Sequence, residues 1–271
     1  MKVASIQLAA ADDMPKKDMV DHALRMMDRC AGCDLILLPE LWNIGFFAFD
    51  RFIGESEPID GYTATAVSSK ARELGAWVFS GSFVESRGGK YYNTSILFDR
   101  TGEKAASYSK IHLFTYKSRE AEILTPGEEL VVADTEFGKI GLSICYDLRF
   151  PEMYRMMGDM GAEIFLVASG WPYPRQEAWE TFNRARAAEN VCYLISCNSS
   201  GKQAGFLALG HSKVVDPWGI VIADSDFREA IVTAEIDPGQ VKKIRDEFPV
   251  LGDRVPLQAL LRQPPGLCRK C

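Results

Sequence analysis

Three residues of different chemical types, Cys145, Glu40 and Lys110, each stand where a predicted strand ends. A thiol can attack a carbonyl or nitrile carbon, a carboxylate can take the thiol proton and later activate water, and a buried ammonium can offset charge on a tetrahedral intermediate. The backbone N–H of Tyr146 would donate to the same charge. This set needs neither metal nor nucleotide, and it predicts a hydrolase with a cysteine nucleophile.

Cys145 lies where a predicted strand, 140–144, is followed by a helix that begins at Pro151. Such a junction lies at the carboxyl edge of a sheet, where open α/β sheets place ligands. A helix N-terminus and nearby cations lower the pKa of a thiol, which predicts a reactive cysteine. The alternative is a structural cysteine, because free cysteine is among the most buried residue types.

Glu40 and Lys110 also have non-catalytic alternatives. Glu40 is either a solvated loop residue or a carboxylate held beside the apolar side chains that follow it, which would raise its pKa and suit a general base. Lys110 either extends to solvent or is a buried cation at a strand end. A competing catalytic arrangement is a Cys–His protease with His112 or His211 as the base.

Composition describes the scaffold that must hold these residues. The chain has 271 residues, of which 47% are hydrophobic and 25% charged, and its net charge is −6. No basic block is present, so no nucleic-acid partner and no membrane surface is expected. No apolar stretch approaches the roughly 18 residues of a membrane span. The first residues have the pattern of a strand rather than a signal peptide, which predicts a cytoplasmic protein.

Short apolar runs alternate with segments of helical periodicity along the chain. Strands are predicted at 3–8, 35–38, 77–81, 91–98, 106–109, 131–134, 140–144, 164–168, 192–197 and 230–236, with two more around a turn in 214–223, and helices at 16–30, 61–74, 152–160, 176–189 and 238–246. No linker or repeat divides the chain, so one α/β domain with helix-covered sheets is expected.

The seven cysteines include two Cys-x-x-Cys pairs, Cys30/Cys33 and Cys268/Cys271. An odd number without a signal peptide favours free thiols. Four thiolates can hold a structural zinc ion, and the chain would then be a zinc-stabilised binding module rather than an enzyme. The two pairs stand at opposite ends of the chain without zinc-ribbon context, so we expect no metal site and no cofactor.

Three motifs, in order, resemble the signatures of the nitrilase superfamily of carbon–nitrogen hydrolases. They are Leu-Pro-Glu-Leu-Trp at 38–42, Ser-Lys-Ile-His-Leu-Phe at 109–114 and Cys-Tyr-Asp-Leu-Arg-Phe-Pro-Glu at 145–152. Segments 184–190, 210–212 and 216–219 also match, so the resemblance covers residues 3 to about 236. It implies a four-layer αββα sandwich, a catalytic triad of Glu40, Lys110 and Cys145, and an acyl-enzyme thioester.

The resemblance also implies a second glutamate before the Thr-Pro-Gly turn at 125–127. Glu120 is the predicted residue and Glu122 the alternative. It further implies a hydrolase domain at 1–247 and a tail at 248–271 that packs on a neighbouring subunit of a homodimer or larger homo-oligomer.

Within the superfamily the chain looks most like the omega-amidase branch, which hydrolyses the terminal amide of 2-oxoglutaramate-type acids. The segment from Trp171 to Arg175 resembles a loop of bacterial members. Phe46 and Phe47 are predicted to line the acyl pocket, and Arg175 is predicted to bind a substrate carboxylate, with a loop-end ion pair as the alternative.

Two polar residues after the nucleophile are predicted to be structural. Arg149 is expected to pair with a carboxylate behind Cys145, and Asp147 can cap the helix that begins at Pro151. An N-carbamoyl amine or amino acid, or a nitrile, would be attacked by the same triad, so these substrates stay open.

Overall fold

A computed structural model of the chain describes residues 1–12 and 14–255. Its strands are β1 (Lys2–Gln7), β2 (Ala9–Ala10), β3 (Leu35–Leu37), β4 (Trp77–Phe79), β5 (Phe83–Arg87), β6 (Lys90–Phe98), β7 (Lys104–Ser109), β8 (Val132–Thr135), β9 (Gly138–Ile144), β10 (Ile164–Ser169), β11 (Tyr193–Asn198), β12 (Ser200–Gln203), β13 (Phe206–Leu207), β14 (Lys213–Val215), β15 (Val221–Asp224) and β16 (Ala230–Glu235). Its helices are α1 (Lys16–Asp28), α2 (Tyr62–Leu74), α3 (Glu120–Ile123), α4 (Pro151–Asp159), α5 (Gln176–Asn190) and α6 (Gly239–Glu247), and single-turn 3₁₀ segments occupy Phe49–Arg51 and Cys145–Arg149.

The strands form two large sheets and one small one. The first sheet has the order β16-β1-β3-β4-β6-β5, with β7 also paired to β6, and the second has the order β15-β14-β11-β10-β9-β8. The small sheet has the order β13-β12-β2. Strands β1, β3 and β4 run parallel, as do β9, β10 and β11, and antiparallel strands complete the edges.

Strand alternation explains how the layers stack. In the first sheet, Val3 and Leu35 point toward the second sheet, whereas Ala4 and Ile36 point toward α1 and α2. The second sheet buries its other face under α4 and α5, where Trp179 is fully buried. The layers are therefore helix, sheet, sheet and helix, and the αββα sandwich is confirmed.

The carboxyl ends of the central strands meet at one edge of the sandwich. β3 leads to Glu40, β9 leads to Cys145, and β10 leads to Gly170. β7 runs in the same direction as β4, because both pair antiparallel with β6, so Lys110 follows at that edge as well. The fold thus brings together residues that are 70 and 35 positions apart in the sequence.

The small sheet and strand β5 are absent from the sequence prediction. β2 has two residues, and it is stabilised by pairing with β12, which lies almost 200 residues further along the chain. Residues 256–271, which include Cys268 and Cys271, lie outside the described part of the chain. None of the helices within 1–12 and 14–255 is long and apolar enough to cross a bilayer.

Candidate active site

Glu40 is fully buried in the turn that follows β3. Its Oε1 accepts hydrogen bonds from Lys110 Nζ at 2.7 Å and Asn93 Nδ2 at 2.9 Å, and its Oε2 accepts one from the Gly170 N–H at 2.9 Å. Leu41, the next residue, has a φ of 46°, a conformation that L-residues rarely adopt. The solvated-loop alternative for Glu40 is therefore wrong, and polar donors hold the buried carboxylate.

Lys110 is fully buried and lies between two carboxylates. Its Nζ is 2.7 Å from Glu40 Oε1 and 2.9 Å from Glu120 Oε1. Burial disfavours the charged form, but Glu120 and Glu40 outweigh that effect and raise the pKa of Lys110. The ammonium is therefore kept charged in the interior, and the solvent-exposed alternative for Lys110 is wrong.

Glu120 is the buried glutamate of the two sequence candidates. Its Oε2 accepts a hydrogen bond from the Phe114 N–H at 2.7 Å, and burial raises its pKa, an effect that Lys110 opposes and Glu40 reinforces. Glu122 is exposed, and its Oε2 lies 3.7 Å from Arg119 Nε. Only Glu120 therefore reaches the Lys110 cluster.

Asn93 is part of this cluster but was missed from the sequence. Its Nδ2 donates to Glu40 Oε1 at 2.9 Å and to Glu120 Oε1 at 3.0 Å, so one amide group orients both carboxylates. Its backbone carbonyl also accepts from the Lys110 N–H at 2.9 Å. The signal that could have indicated its role is a polar residue within a predicted strand. The structure shows that this strand, β6, is buried from Asn93 to its end.

Cys145 occupies a tight turn between β9 and α4. It has a φ of 47° and is 7% exposed. Burial, followed by the nearby Glu40 carboxylate, raises the pKa of the Cys145 thiol, whereas Lys110 and Ser169 oppose that shift to a smaller extent. The lowered pKa expected from the strand–helix junction is therefore wrong, because burial and Glu40 outweigh the nearby cation. A resting thiol with a raised pKa needs a base at the moment of attack, and Glu40 is beside it.

A narrow pocket opens above Cys145. It is lined by Phe46 and Arg175, which were predicted to face the substrate, and by Phe114, Tyr146, Arg149 and Trp171. Phe47 does not line it but stacks on Phe206 of β13, with ring centroids 4.1 Å apart.

Two arginines share the wall of this pocket. The Arg149 guanidinium lies 4.8 Å from the centre of the Trp171 ring, and that of Arg175 lies 5.6 Å from the centre of the Phe114 ring. Burial and, to a smaller extent, Arg175 lower the pKa of Arg149. Neither arginine forms an ion pair with a carboxylate among residues 1–12 and 14–255, so the predicted structural pairing of Arg149 is wrong.

Neither candidate histidine is arranged as a base for the thiol. His112 Nδ1 is 2.8 Å from Asp147 Oδ1, and its ring stacks on Phe150. His211 Nδ1 is 3.5 Å from Glu180 Oε1. The groups that act on the Cys145 thiol are Glu40, Lys110 and Ser169, and neither histidine is among them, so the structure does not support the Cys–His alternative.

Gly81 controls where the turn that carries Glu40 can lie. Its φ is 67°, and a Cβ at this position would lie 2.1 Å from the Pro39 carbonyl oxygen. We expect Gly81→Ala to lower the free energy of unfolding by about 3 kcal/mol and to reduce activity, because the Pro39–Glu40 backbone must move.

The matched control for this substitution is Gly88→Ala. Gly88 has a φ of 59° but nothing within 4 Å of an added Cβ. Its cost should be only the conformational one, about 1 kcal/mol, with activity unchanged. Chemical denaturation of both variants measures the difference, and equal losses would show that space beside Pro39 is not limiting.

An αββα sandwich with a buried thiol, carboxylate and ammonium at its strand ends defines a hydrolase of the nitrilase superfamily. The family model for carbon-nitrogen hydrolases matches residues 2–246 of this chain. The chain therefore belongs to the carbon–nitrogen hydrolase family, and it is an enzyme of that class.

Several relatives match over most of their length. A 2-oxoglutaramate amidase of Paenarthrobacter nicotinovorans is 34% identical, with 94% of this chain and 89% of the relative covered. Omega-amidase NIT2-B of Xenopus laevis is 32% identical, with 88% and 90% covered. The crystal structure of Saccharomyces cerevisiae Nit3, a member of branch 10 of the nitrilase superfamily, superposes with a TM-score of 0.84 at 31% identity, covering 92% of this chain and 94% of Nit3.

Proposed function

We propose that this enzyme hydrolyses the terminal amide of small carboxylate-bearing compounds of the 2-oxoglutaramate or succinamate type, with release of ammonia. The observation that carries the proposal is a pocket that holds the Cys145 thiol at its base and two arginines without described carboxylate partners on its wall. Relatives named 2-oxoglutaramate amidase and omega-amidase support the same substrate class.

The first half of the reaction forms a thioester. Glu40 takes the thiol proton as Cys145 Sγ attacks the amide carbon. The oxygen of the tetrahedral intermediate receives hydrogen bonds from the Lys110 ammonium and the Tyr146 N–H. Glu40 then returns the proton to the leaving nitrogen, the carbon–nitrogen bond breaks, and ammonia departs.

The second half releases the acid. Glu40 takes a proton from water, the resulting hydroxide attacks the thioester, and the thiol recovers its proton as the carbon–sulfur bond breaks. Glu120 and Asn93 touch no substrate in this scheme. They orient Lys110 and Glu40 through the hydrogen bonds described above.

Arg149 and Arg175 form the site proposed for the substrate carboxylate. Guanidinium groups bind carboxylates through paired, charge-assisted hydrogen bonds. Both are half-buried and both rest on aromatic rings, which limits their conformational freedom. An anion between them would relieve the repulsion that contributes to the lowered pKa of Arg149.

Replacing either arginine is expected to weaken binding of the carboxylate and not the chemistry. Arg175→Gln and Arg149→Gln should each raise KM for succinamate by about 10-fold to 100-fold, the loss of one charge-assisted pair, with kcat less affected. A neutral amide of similar length, butyramide, serves as the internal control and should lose less than about threefold in kcat/KM. Steady-state ammonia release measures both, and equal losses on the two substrates would contradict an anion site.

A substrate panel tests the proposal as a whole. Ammonia release is measured with 2-oxoglutaramate, succinamate, glutamine, an N-carbamoyl amino acid and a simple nitrile. Fast turnover of the dicarboxylate monoamides supports the proposed substrate class. Turnover of only the carbamoyl compound or the nitrile would retain the thiol chemistry and refute the carboxylate site.

We further propose that the enzyme is a cytoplasmic homodimer or larger homo-oligomer with a hydrolase domain at 1–247. The five cysteines in the described residues are free thiols, which supports a reducing compartment. Trp218 and Phe248 are each about half exposed, and the centres of their rings lie 5.6 Å apart. Together they form an apolar surface of the kind that a second subunit covers. Sedimentation analysis of the full chain would give the subunit number directly.

A further inference from the structure

A fully buried carboxylate, that of Asp147, lies behind the nucleophile and takes no part in the scheme above. Its Oδ2 accepts hydrogen bonds from the Tyr108 hydroxyl at 2.6 Å and the Ile144 N–H at 2.9 Å. Its Oδ1 accepts from the His112 N–H at 3.0 Å and lies 2.8 Å from His112 Nδ1. An ionised carboxylate has room for about four donors, so its capacity is filled.

These donors come from the two chain segments that carry the ammonium and the thiol. Two of the partner residues flank Lys110 at a distance of two positions on either side, and Ile144 directly precedes Cys145. The segments belong to different sheets, because Lys110 follows β7 and Cys145 follows β9. Asp147 therefore joins the two sheets where the ammonium and the thiol meet.

The same carboxylate closes the turn that carries the nucleophile. Cys145 has a φ of 47°, which a non-glycine residue adopts only when its surroundings enforce it. The hydrogen bond from the Ile144 N–H to Asp147 spans this turn. On the other segment, the Tyr108 hydroxyl accepts a hydrogen bond from the Ile111 N–H at 3.1 Å, which fixes the backbone next to Lys110.

We propose that Asp147, with Tyr108 and His112, is a positioning unit that sets the distance between the Lys110 ammonium and the Cys145 thiol. The unit touches no substrate, and its effect is transmitted through the residues beside the two reactive groups. This inference rests on the proposed roles of those groups. If one link is lost, stabilisation of the transition state falls while substrate binding is retained, so kcat decreases and KM does not.

A matched pair of buried tyrosines tests the proposal. Asp147→Asn would turn an amide toward several donors and endanger folding, so the variant chosen is Tyr108→Phe, which removes one link only. Its control is Tyr154→Phe. The Tyr154 hydroxyl is also fully buried and lies 2.8 Å from Ser143 Oγ, close to Cys145, and among the described residues it forms no hydrogen bond with Asp147 or with the segment that carries the ammonium.

Both variants are expected to unfold at a slightly lower temperature than the native chain. Tyr108→Phe should lower kcat by about 10-fold to 100-fold with KM within about twofold, because a displacement of the reactive groups by a fraction of an ångström is costly. Tyr154→Phe should keep kcat within about twofold. Equal losses of kcat, or an unchanged kcat in Tyr108→Phe, would overturn the proposal.

A second measurement does not depend on amide turnover. It is the pH midpoint for alkylation of Cys145 by iodoacetamide. Glu40 and Lys110 are the charged groups with the largest effects on the pKa of this thiol. A shifted Lys110 stabilises the thiolate less, so the midpoint should rise in Tyr108→Phe and stay in place in Tyr154→Phe. If the alkylation midpoint rises in Tyr108→Phe but the native enzyme hydrolyses no amide of the panel, the positioning unit is supported and the proposed substrates are refuted. An unmoved midpoint in an active Tyr108→Phe enzyme would refute the positioning unit alone.

Discussion

Cys145→Ala is expected to abolish amide hydrolysis while the chain keeps its fold. The substitution removes the only group at the base of the pocket that forms a covalent bond in the proposed scheme, so kcat should fall by about 10⁴-fold or more. The Cβ atom stays, and the hydrogen bonds that join Lys110 to Glu40 and Glu120 do not involve the lost sulfur atom. Ammonia release from succinamate measures the activity, and thermal unfolding measures the fold.

Cys192→Ala is the matched control for this loss. Cys192 is also a fully buried thiol with a raised pKa, but it lies beside Arg245 and away from the pocket. The control should lose some stability and keep its kcat. Residual turnover of Cys145→Ala above about one per cent of the native rate would contradict nucleophilic catalysis by this thiol.

Glu40→Gln is expected to lower kcat by about 10²-fold to 10⁴-fold, the range for loss of a general base. The amide has nearly the shape of the carboxylate, so the hydrogen bond from Lys110 at 2.7 Å can persist. However, one side of the amide must donate, and Gly170 offers an N–H there at 2.9 Å, so some stability is lost. The loss of proton transfer should dominate the measured kcat.

The same variant should make the resting thiol easier to ionise. Glu40 raises the pKa of Cys145, so replacing it by a neutral amide lowers that pKa. The pH midpoint for alkylation of Cys145 should therefore fall in Glu40→Gln while hydrolysis is lost. At a fixed pH below the midpoint, alkylation therefore becomes faster while hydrolysis becomes slower, whereas general damage to the site would slow both reactions.

Glu57→Gln provides the control for replacing a buried glutamate. Glu57 is buried in a network with Lys16 and Thr63, away from the pocket. It should cost stability to a similar extent, with kcat and the alkylation midpoint unchanged. A Glu40→Gln variant that keeps native kcat would show that another group takes the thiol proton.

The residues of the proposed triad were predictable because each follows a strand. Apolar runs locate strand ends in a sequence, and parallel strands bring their carboxyl ends to one edge. The sequence alone therefore places Cys145, Glu40 and Lys110 near one another. Their motifs added the superfamily, and the αββα layers followed from that resemblance rather than from periodicity.

The roles of two other polar residues of the site, Asn93 and Arg149, were not predictable in the same way. Asn93 lies within a strand, and its role depends on two carboxylates that are 53 and 27 residues away. Arg149 was expected to be paired, but the folded chain leaves it on the pocket wall beside Trp171. Such assignments depend on which residues from distant segments meet, and no local pattern records that.

Local rules also predicted the wrong direction for the pKa shift of the Cys145 thiol. A helix N-terminus and a nearby lysine predict a thiol with a lowered pKa, but burial and the Glu40 carboxylate have the larger effect. In the proposed mechanism, the neutral thiol therefore stays unreactive until a substrate is bound and Glu40 takes the proton. The sequence shows that a glutamate and a lysine are present, but not how deeply the thiol is buried.

The most direct test of the account is to trap the covalent intermediate. The native enzyme is mixed with succinamate, quenched in acid within the first turnovers and analysed by intact and peptide mass spectrometry. We predict a mass increase equal to the acyl group of the substrate, located on the peptide that contains Cys145 and absent from Cys145→Ala. Ammonia release without any such adduct, or an adduct on another residue, would contradict a thioester on Cys145.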